Sequence, residues 1–369
     1  MVRNFKTHFA SSSNFIEEAG CLMAVLLAVT LAHRLHLNNV AWAAFSAFMV
    51  MRATIQESVR RGLMRVLGTA CGVSLAWLLV PQFAHSVLLL SLSLGAVGAA
   101  TLYLALLERS GYGWMFTGLS FSMVLVDSMQ YGTEHLGGFI QARLLEVCVG
   151  TLSALLASAL VELFARLGRL TTLHTSPVSY VPALPFCHQV ALRHALKGAL
   201  ALAMIPWLWR IFRFEALSQS AITIITVMMV PMADLLMVRN KASLRSLHRF
   251  LGATVGALLA TGASMMSHGS PTFMTLAAGI GVVIGRHIEN ARRDIAYAGT
   301  QFALAFLVVL VPDRYQGGNL EPGMERILGI VLGLALLVPL QWLPRLLLES
   351  VHRSRWSRWF RASQVNADV

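Results

Sequence analysis

Long apolar runs broken by short polar connections recur along the whole chain. Their length is that of membrane spans, since crossing roughly 30 Å of hydrocarbon takes about 20 mostly apolar residues. Such runs occupy 15–35, 40–54, 62–80, 86–107, 113–127 and 139–164. After a polar, proline-containing stretch they resume at 191–212, 217–236, 244–266, 271–288, 295–312 and 324–346. The pattern predicts an all-α polytopic membrane protein of about twelve transmembrane helices. The second, fifth and tenth runs are short, which leaves tilted, paired or re-entrant segments open. The first run follows Arg3 and Lys6 as a signal peptide would, but Glu17 and Glu18 interrupt its start and eleven further runs follow, so it reads as a span. Pro206 and Pro231 lie inside runs and each removes a backbone donor, so both positions predict kinks.

The runs also repeat. Arg65-Val66-Leu67-Gly68 with Gly72 recurs 184 residues later as Arg249-Phe250-Leu251-Gly252 with Gly256. Arg143-Leu144-Leu145 with Gly150 recurs 183 residues later as Arg326-Ile327-Leu328 with Gly333. Phe116-x-Gly118-x-x-Phe121 matches Tyr297-x-Gly299-x-x-Phe302 at an offset of 181. The chain therefore divides into a first six-helix repeat over 1–168, a cytoplasmic linker over 169–190, a second six-helix repeat over 191–346 and a basic amphipathic cytoplasmic tail over 347–369. An even number of spans per half makes the repeats parallel, and such halves place a substrate path at their interface.

Composition agrees with a membrane chain. Of 369 residues, 56% are hydrophobic and only 12% charged, which excludes both an ordinary soluble domain and a disordered one. The formal net charge is +12, and a basic chain invites a nucleic-acid reading. Little soluble face is left to carry one, so no nucleic-acid partner is expected. With a cytoplasmic N-terminus, all Lys and Arg except Arg34, Arg143, Arg210, Arg213, Arg314 and Arg326 fall on the inner side, 23 of 29. That asymmetry predicts cytoplasmic termini at both ends. The tail alternates Arg353, Arg355, Arg358 and Arg361 with Trp356, Trp359 and Phe360, which suits an anionic leaflet.

Trp42-Ala43-Ala44-Phe45 through Val50, then Arg60-Arg61, then Arg65-x-Leu67-Gly68-Thr69-x-x-Gly72, resembles the fusaric acid resistance and aromatic acid exporter family. That family shares a six-helix module with the aluminium-activated malate channels. The resemblance implies a bacterial inner-membrane transporter that exports organic or aromatic acids, driven by proton motive force and often working with a periplasmic adaptor. Many members carry large cytoplasmic domains between and after the halves, where this chain has about twenty residues and a short tail. A homodimer is left open.

Charges inside spans are the candidates for chemistry, because each costs about 2.5–3.5 kcal/mol at a helix centre. Arg143 and Glu146 share a face at i, i+3. They read either as an anion-attracting guanidinium beside a proton-coupling carboxylate, or as a buried pair joining two helices. The second half keeps Arg326 but has Gly329 opposite Glu146. Arg52 is placed to attract an anionic substrate from the cytoplasm, and Asp234 is a second proton-site candidate. Trp42 and Phe45 could stack an aromatic ring, though at helical spacing in a bilayer such residues are more often core or lipid-facing. The pairs Gly68/Gly72 and Gly252/Gly256 read as close helix packing. Arg65 and Arg249 read as lipid anchors at the ends of their spans, or as a cytoplasmic mouth for anions. Glu17 and Glu18 could meet Arg193 and Lys197 or sit at the interface. His287 and Glu289, with Arg292 and Arg293, read as a solvated turn.

No G-x-x-x-x-G-K-[ST] occurs and Cys21, Cys71, Cys148 and Cys187 are isolated, so neither ATP hydrolysis nor a zinc or disulfide site is indicated. No cofactor, metal or enzymatic activity is expected. The partners expected are a small organic anion and membrane lipids. The function expected is proton-coupled export of aromatic carboxylates; a passive anion channel and a non-transporting membrane scaffold are the alternatives.

Overall fold

A computed structural model describes residues 2–108, 110–167, 185–232, 235, 241–291, 294–313 and 321–342. Residues 169–184 of the linker expected over 169–190, Asp234 and the tail from 343 onward lie outside the described residues, and 185–190 already belong to the next helix. The first half comprises α1 (Val2–Arg34), α2 (Val40–Val50), α3 (Ile55–Phe83), α4 (Val87–Leu107), α5 (Gly111–Tyr131) and α6 (Leu136–Leu167). The second comprises α7 (Pro185–Ala203), α8 (Ile205–Phe212), α9 (Leu217–Met228), α10 (Lys241–Met266), α11 (Pro271–Ala291), α12 (Ala296–Leu310) and α13 (Glu321–Trp342). Every apolar run becomes a helix, with α7 and α8 sharing one run around a break at Met204, two residues before Pro206.

The molecule is a multi-pass membrane protein, all-helical among the described residues. Among these residues seven helical segments are long and apolar enough to cross a bilayer, over 15–34, 55–83, 87–107, 133–167, 187–212, 271–291 and 321–342. By contrast α2, α9 and α12 have 11, 12 and 15 residues, and at 1.5 Å per residue reach only about 17–23 Å. The runs expected over 40–54 and 217–236 both end early. Beyond α2 the chain unwinds at 51–54, until Thr54 caps α3 by accepting from Glu57 N. Beyond α9 it unwinds at 229–231, where Pro231 has no N–H to continue the helix. Asp313 caps α2 from the other half of the chain, accepting from Val40 N at 2.8 Å, and burial holds its carboxyl above the usual carboxylate range.

Polarity is turned inside out. Leu67, Trp77, Leu92, Leu258 and Ile280 are exposed, whereas Arg65, Arg249, Arg286 and Arg326 are buried. An apolar exterior over a charged interior is what a hydrocarbon solvent selects, since polar groups must then be satisfied within the protein.

The halves interlock rather than standing side by side. Helix α4 packs on α7, and its equivalent α11 packs on α1. Likewise α5 packs on α9 and α12 on α2. One apolar core is thus built from α1, α2 and parts of α6 together with α11 and α12, and the other from α4 and α5 together with α7 and α9.

The same close contacts occur twice. A Cβ on Gly68 would lie 2.3 Å from Gly113 O, and one on Gly252 would lie 2.4 Å from Ala298 O. Gly72 meets Thr117 O as Gly256 meets Phe302 O. Gly150 faces Ala43 O and Ser46 as Gly333 faces Ser220 O and Thr223. These contacts pair Gly113 with Ala298 and Thr117 with Phe302, an offset of 185. The sequence match of Phe116 with Tyr297 at 181 is therefore one helical turn out of register: Tyr112 is the residue in the place of Tyr297.

Because backbone, not a flexible side-chain tip, blocks the space, Gly68→Ala or Gly252→Ala should lower stability by about 1–3 kcal/mol. Gly138, with nothing near its Cβ position, should accept alanine at no cost. Thermal unfolding of the purified variants in detergent checks this, and equal melting of all three would remove the packing role.

Candidate functional site

The short helices and the interlocked halves leave a cavity of about 350 Å³ between them. Its wall carries Trp42, Phe45, Arg52, Arg61, Arg65 and Tyr112 from the first half, and Gln219, Arg245, Arg249, Tyr297, Gln301 and Arg326 from the second. Met115, Leu119, Ile222 and Leu304 supply apolar surface, and Glu289 is the one carboxylate among the described lining residues.

Both halves hold their arginines in the same way. Arg65 Nε donates to Ser46 Oγ at 3.0 Å, and Arg249 Nε to Thr223 Oγ1 at 3.0 Å. One turn earlier, Arg61 lies over the Tyr112 ring and Arg245 over the Tyr297 ring, at 5.6 and 4.1 Å from the centroids. Arg65 then rests on Phe116 at 4.1 Å, where its counterpart Arg249 donates to Gln301 Oε1 at 2.8 Å. Arg326 sits 5.6 Å from the Phe45 centroid. Rings and hydroxyls soften the cost of a buried guanidinium without cancelling its charge.

Arg65, Arg249 and Arg326 are 2%, 1% and 2% exposed, so the two span-end arginines are wall residues of the cavity and not lipid anchors. Among the described residues none of the three has a carboxylate within ion-pair distance, and Arg65 Nη1, Arg249 Nη2 and Arg326 Nε make no hydrogen bond. Arg52 instead donates to Glu289 Oε1 at 3.2 Å.

Arg143 and Glu146 stand apart from the cavity. They pair at 3.2 Å, both buried, and the Arg143 guanidinium lies 4.2 Å over the face of Trp42. Trp42 is a cavity residue, so the pair reaches the wall through one aromatic ring. Arg326, the counterpart of Arg143, is on the wall itself. Asp234 lies outside the described residues.

The largest departure from the sequence reading is at the end of α11. Glu289 and His287 lie on the last turns of α11 rather than in a turn; the His287 ring stays largely exposed, but Glu289 joins a buried cluster. Arg286, 0% exposed, donates from Nη2 to Phe48 O at 2.6 Å and Met51 O at 3.3 Å, the carbonyls left over where α2 unwinds. Its Nη1 meets Glu289 at 3.1 Å and Glu17 at 3.8 Å. His287 pairs with Glu18 at 2.8 Å, so Glu17 and Glu18 find partners on α11 rather than on α7. The signal was present as the i, i+3 spacing of Arg286 and Glu289, but their position at the end of an apolar run favoured solvent. From the sequence, Arg61 and Tyr297 stand out only as parts of the family motif and the repeat, and Arg245, Tyr112 and Gln301 are missed, each one turn or one repeat away from a named residue.

Residues 27–157 match the family described as fusaric acid resistance protein-like. That stretch is fusaric acid resistance-like. It runs from α1 into α6, and it contributes Trp42, Phe45, Arg52, Arg61, Arg65 and Tyr112 to the cavity. The family is associated with membrane transport rather than catalysis, and the match agrees with the resemblance carried by the motif between Trp42 and Gly72. Comparisons with curated proteins and with solved structures give no match. The fusaric acid resistance-like stretch covers only the first half, yet its arginine contacts are reproduced by residues of the second.

Removing Arg286 would strand two backbone carbonyls and two carboxylates, so Arg286→Met should destabilise by about 3–5 kcal/mol. Arg286→Lys, which keeps the charge but not the planar fork, should recover part of it. Thermal melts in detergent measure both; a neutral Arg286→Met would show that the cluster does not hold α2 to α11.

Proposed function

We propose that this protein exports organic anions, aromatic carboxylates in particular, across the bacterial inner membrane through the cavity between its halves, coupled to proton movement. The observation that carries the reading is the set of buried guanidinium groups, Arg65, Arg249 and Arg326, on a wall that also carries aromatic rings. An uncompensated cation inside a membrane is expensive. A carboxylate entering the cavity would pair with it in a medium where charge-assisted hydrogen bonds are strong, while its ring would stack on Trp42, Phe45 or Phe116. Arg52 and Arg61 lie near the unwound end of α2 and the start of α3; the excess of positive charge at that end of the bundle supports a cytoplasmic location, where they would receive the anion. The matched family supports transport as the activity.

Proton coupling rests on Glu146. It is the buried carboxylate of the Arg143 pair, one ring removed from the cavity wall, and the second half has Gly329 in its place. Taking up a proton would release Arg143 from its partner and change the charge behind Trp42 without altering the wall residues themselves.

The test is flux of radiolabelled benzoate into proteoliposomes with and without an imposed pH gradient. The wild-type protein should respond to the gradient by about tenfold or more, and Glu146→Gln should lose the response while retaining gradient-independent exchange. Equal wild-type flux in both conditions would leave a passive anion channel, and an unaltered response in Glu146→Gln would remove Glu146 from the coupling.

A further inference from the structure

The charge on the cavity wall exceeds what one monocarboxylate could balance. Of its six guanidinium groups, Arg52 pairs with Glu289 and Arg61 faces Glu57 at 3.7 Å. Arg65, Arg245, Arg249 and Arg326 have no carboxylate partner among the described residues, and three of the four are almost wholly buried with a nitrogen left unbonded. A single carboxylate neutralises one charge and satisfies the hydrogen-bonding capacity of one guanidinium fork.

The free cations are also divided between the halves. Arg65, with Arg61 and Tyr112, belongs to α3 and α5; Arg249, with Arg245 and Tyr297, belongs to the equivalent helices α10 and α12. Each cluster has the same ingredients: a peripheral arginine on a tyrosine ring and a deeper arginine held through Nε by a hydroxyl, with one terminal nitrogen unbonded. Met115, Leu119, Ile222, Leu304 and Phe45 supply the apolar wall of the same cavity. Two equivalent arginine clusters on one cavity, with apolar surface between them, would complement a ligand with a negative charge at each end and an apolar middle.

We propose that the cavity binds two anionic groups at once and that its preferred ligand is an aromatic dianion, one group at the Arg61/Arg65 cluster and the other at Arg245/Arg249. This rests on the reading of the cavity as the site of the transported anion and narrows the ligand class. Joining the two groups on one ring makes the second contact intramolecular, so the gain over a monoanion of the same shape is large without any new kind of contact.

The probes are terephthalate and its monomethyl ester, which share ring and length but differ by one charge. Isothermal titration of the purified full chain in detergent should give terephthalate at least about tenfold tighter binding than the ester, with one terephthalate per chain. Arg65→Gln and Arg249→Gln should each erase most of that difference while weakening the ester less, and Arg65→Lys and Arg249→Lys, which keep the charge, should preserve it. Size-exclusion profiles identify any variant that fails to fold, and the lysine variants then carry the comparison. Equal affinity for diacid and ester, or two ester molecules bound per chain as tightly as one diacid, overturns the dianion inference and leaves anion transport standing. If benzoate, ester and diacid all fail to bind, the cavity is not an anion site and both readings fall together.

Discussion

A guanidinium group stays charged at any accessible pH, so every arginine placed inside a bilayer-embedded protein must be met there by an acceptor, a carboxylate or a ligand. This constraint sorts the buried arginines into two kinds. Arg286 is satisfied within the chain: two carbonyls at the unwound end of α2, the sulfur of Cys21 and the carboxylates of Glu17 and Glu289 surround it. Arg143 has Glu146 and the face of Trp42. Arg65, Arg249 and Arg326 are left with a hydroxyl, an amide or a ring, and with no carboxylate partner among the described residues. Groups of the first kind hold helices together. Groups of the second kind carry positive charge that no carboxylate among the described residues neutralises, and all three sit on one cavity wall.

The interlocked halves explain why the charge collects there. Packing α4 on α7 and α11 on α1 builds each apolar core from both halves, so the two cores lie on either side of a shared seam. The seam is lined by the short helices α2 and α9 and by α3 and α10 with their repeated arginines. Helices that stop within the bilayer leave carbonyls without intrahelical partners, which must be met by side chains or by a cavity. At α2 that role falls to Arg286. At α9 it falls to His194, whose Nε2 lies 2.9 Å from Met228 O, and to Arg245, which donates to Thr226 O at 3.3 Å. Broken helices and arginines are therefore one arrangement: the break supplies acceptors, and the cations are drawn to the place where acceptors are free.

Much of this was legible in the sequence because hydrophobic periodicity and the repeated R-x-L-G-x-x-x-G element are local signals. Each run became a helix, and Arg65, Arg249, Arg52, Trp42, Phe45 and Arg326 do come together. What could not be read was which partner each charge meets. Glu17 and Arg286 are separated by 269 positions and are joined only when α11 crosses α1. Arg286 and Glu289 stood at the end of an apolar run, where hydropathy cannot distinguish a buried ion cluster from a solvated turn. The early ends of α2 and α9 were hidden for a related reason: Met51 and Met229 are as apolar as the residues before them, and the break is set by Pro231 and by the cap at Thr54. The register error between α5 and α12 arose because aromatic and small residues recur at the helical period, so a slip of one turn keeps the same face.

The asymmetry between the halves carries the most information about mechanism. The cations are duplicated: Arg61 and Arg245, Arg65 and Arg249, Arg143 and Arg326. The carboxylates are not. Glu146 is matched by Gly329, which instead lets α13 approach the backbone of α9, where Ser220 donates to Gly329 O at 3.0 Å. Glu289 is fixed by Arg286, and the residue in the place of Arg286 in the first half is Leu102, packed on Gly198 and hence on α7, as Arg286 is packed on Cys21 and α1. In the proposed reading, an anion lying across the seam would need the same electrostatic welcome from both halves, which the repeated arginines supply. A proton site would need only one copy, and a second buried carboxylate would compete with the anion for the arginines. Guanidinium groups in pairs and single carboxylates would then let the two halves share a ligand while only one of them changes charge.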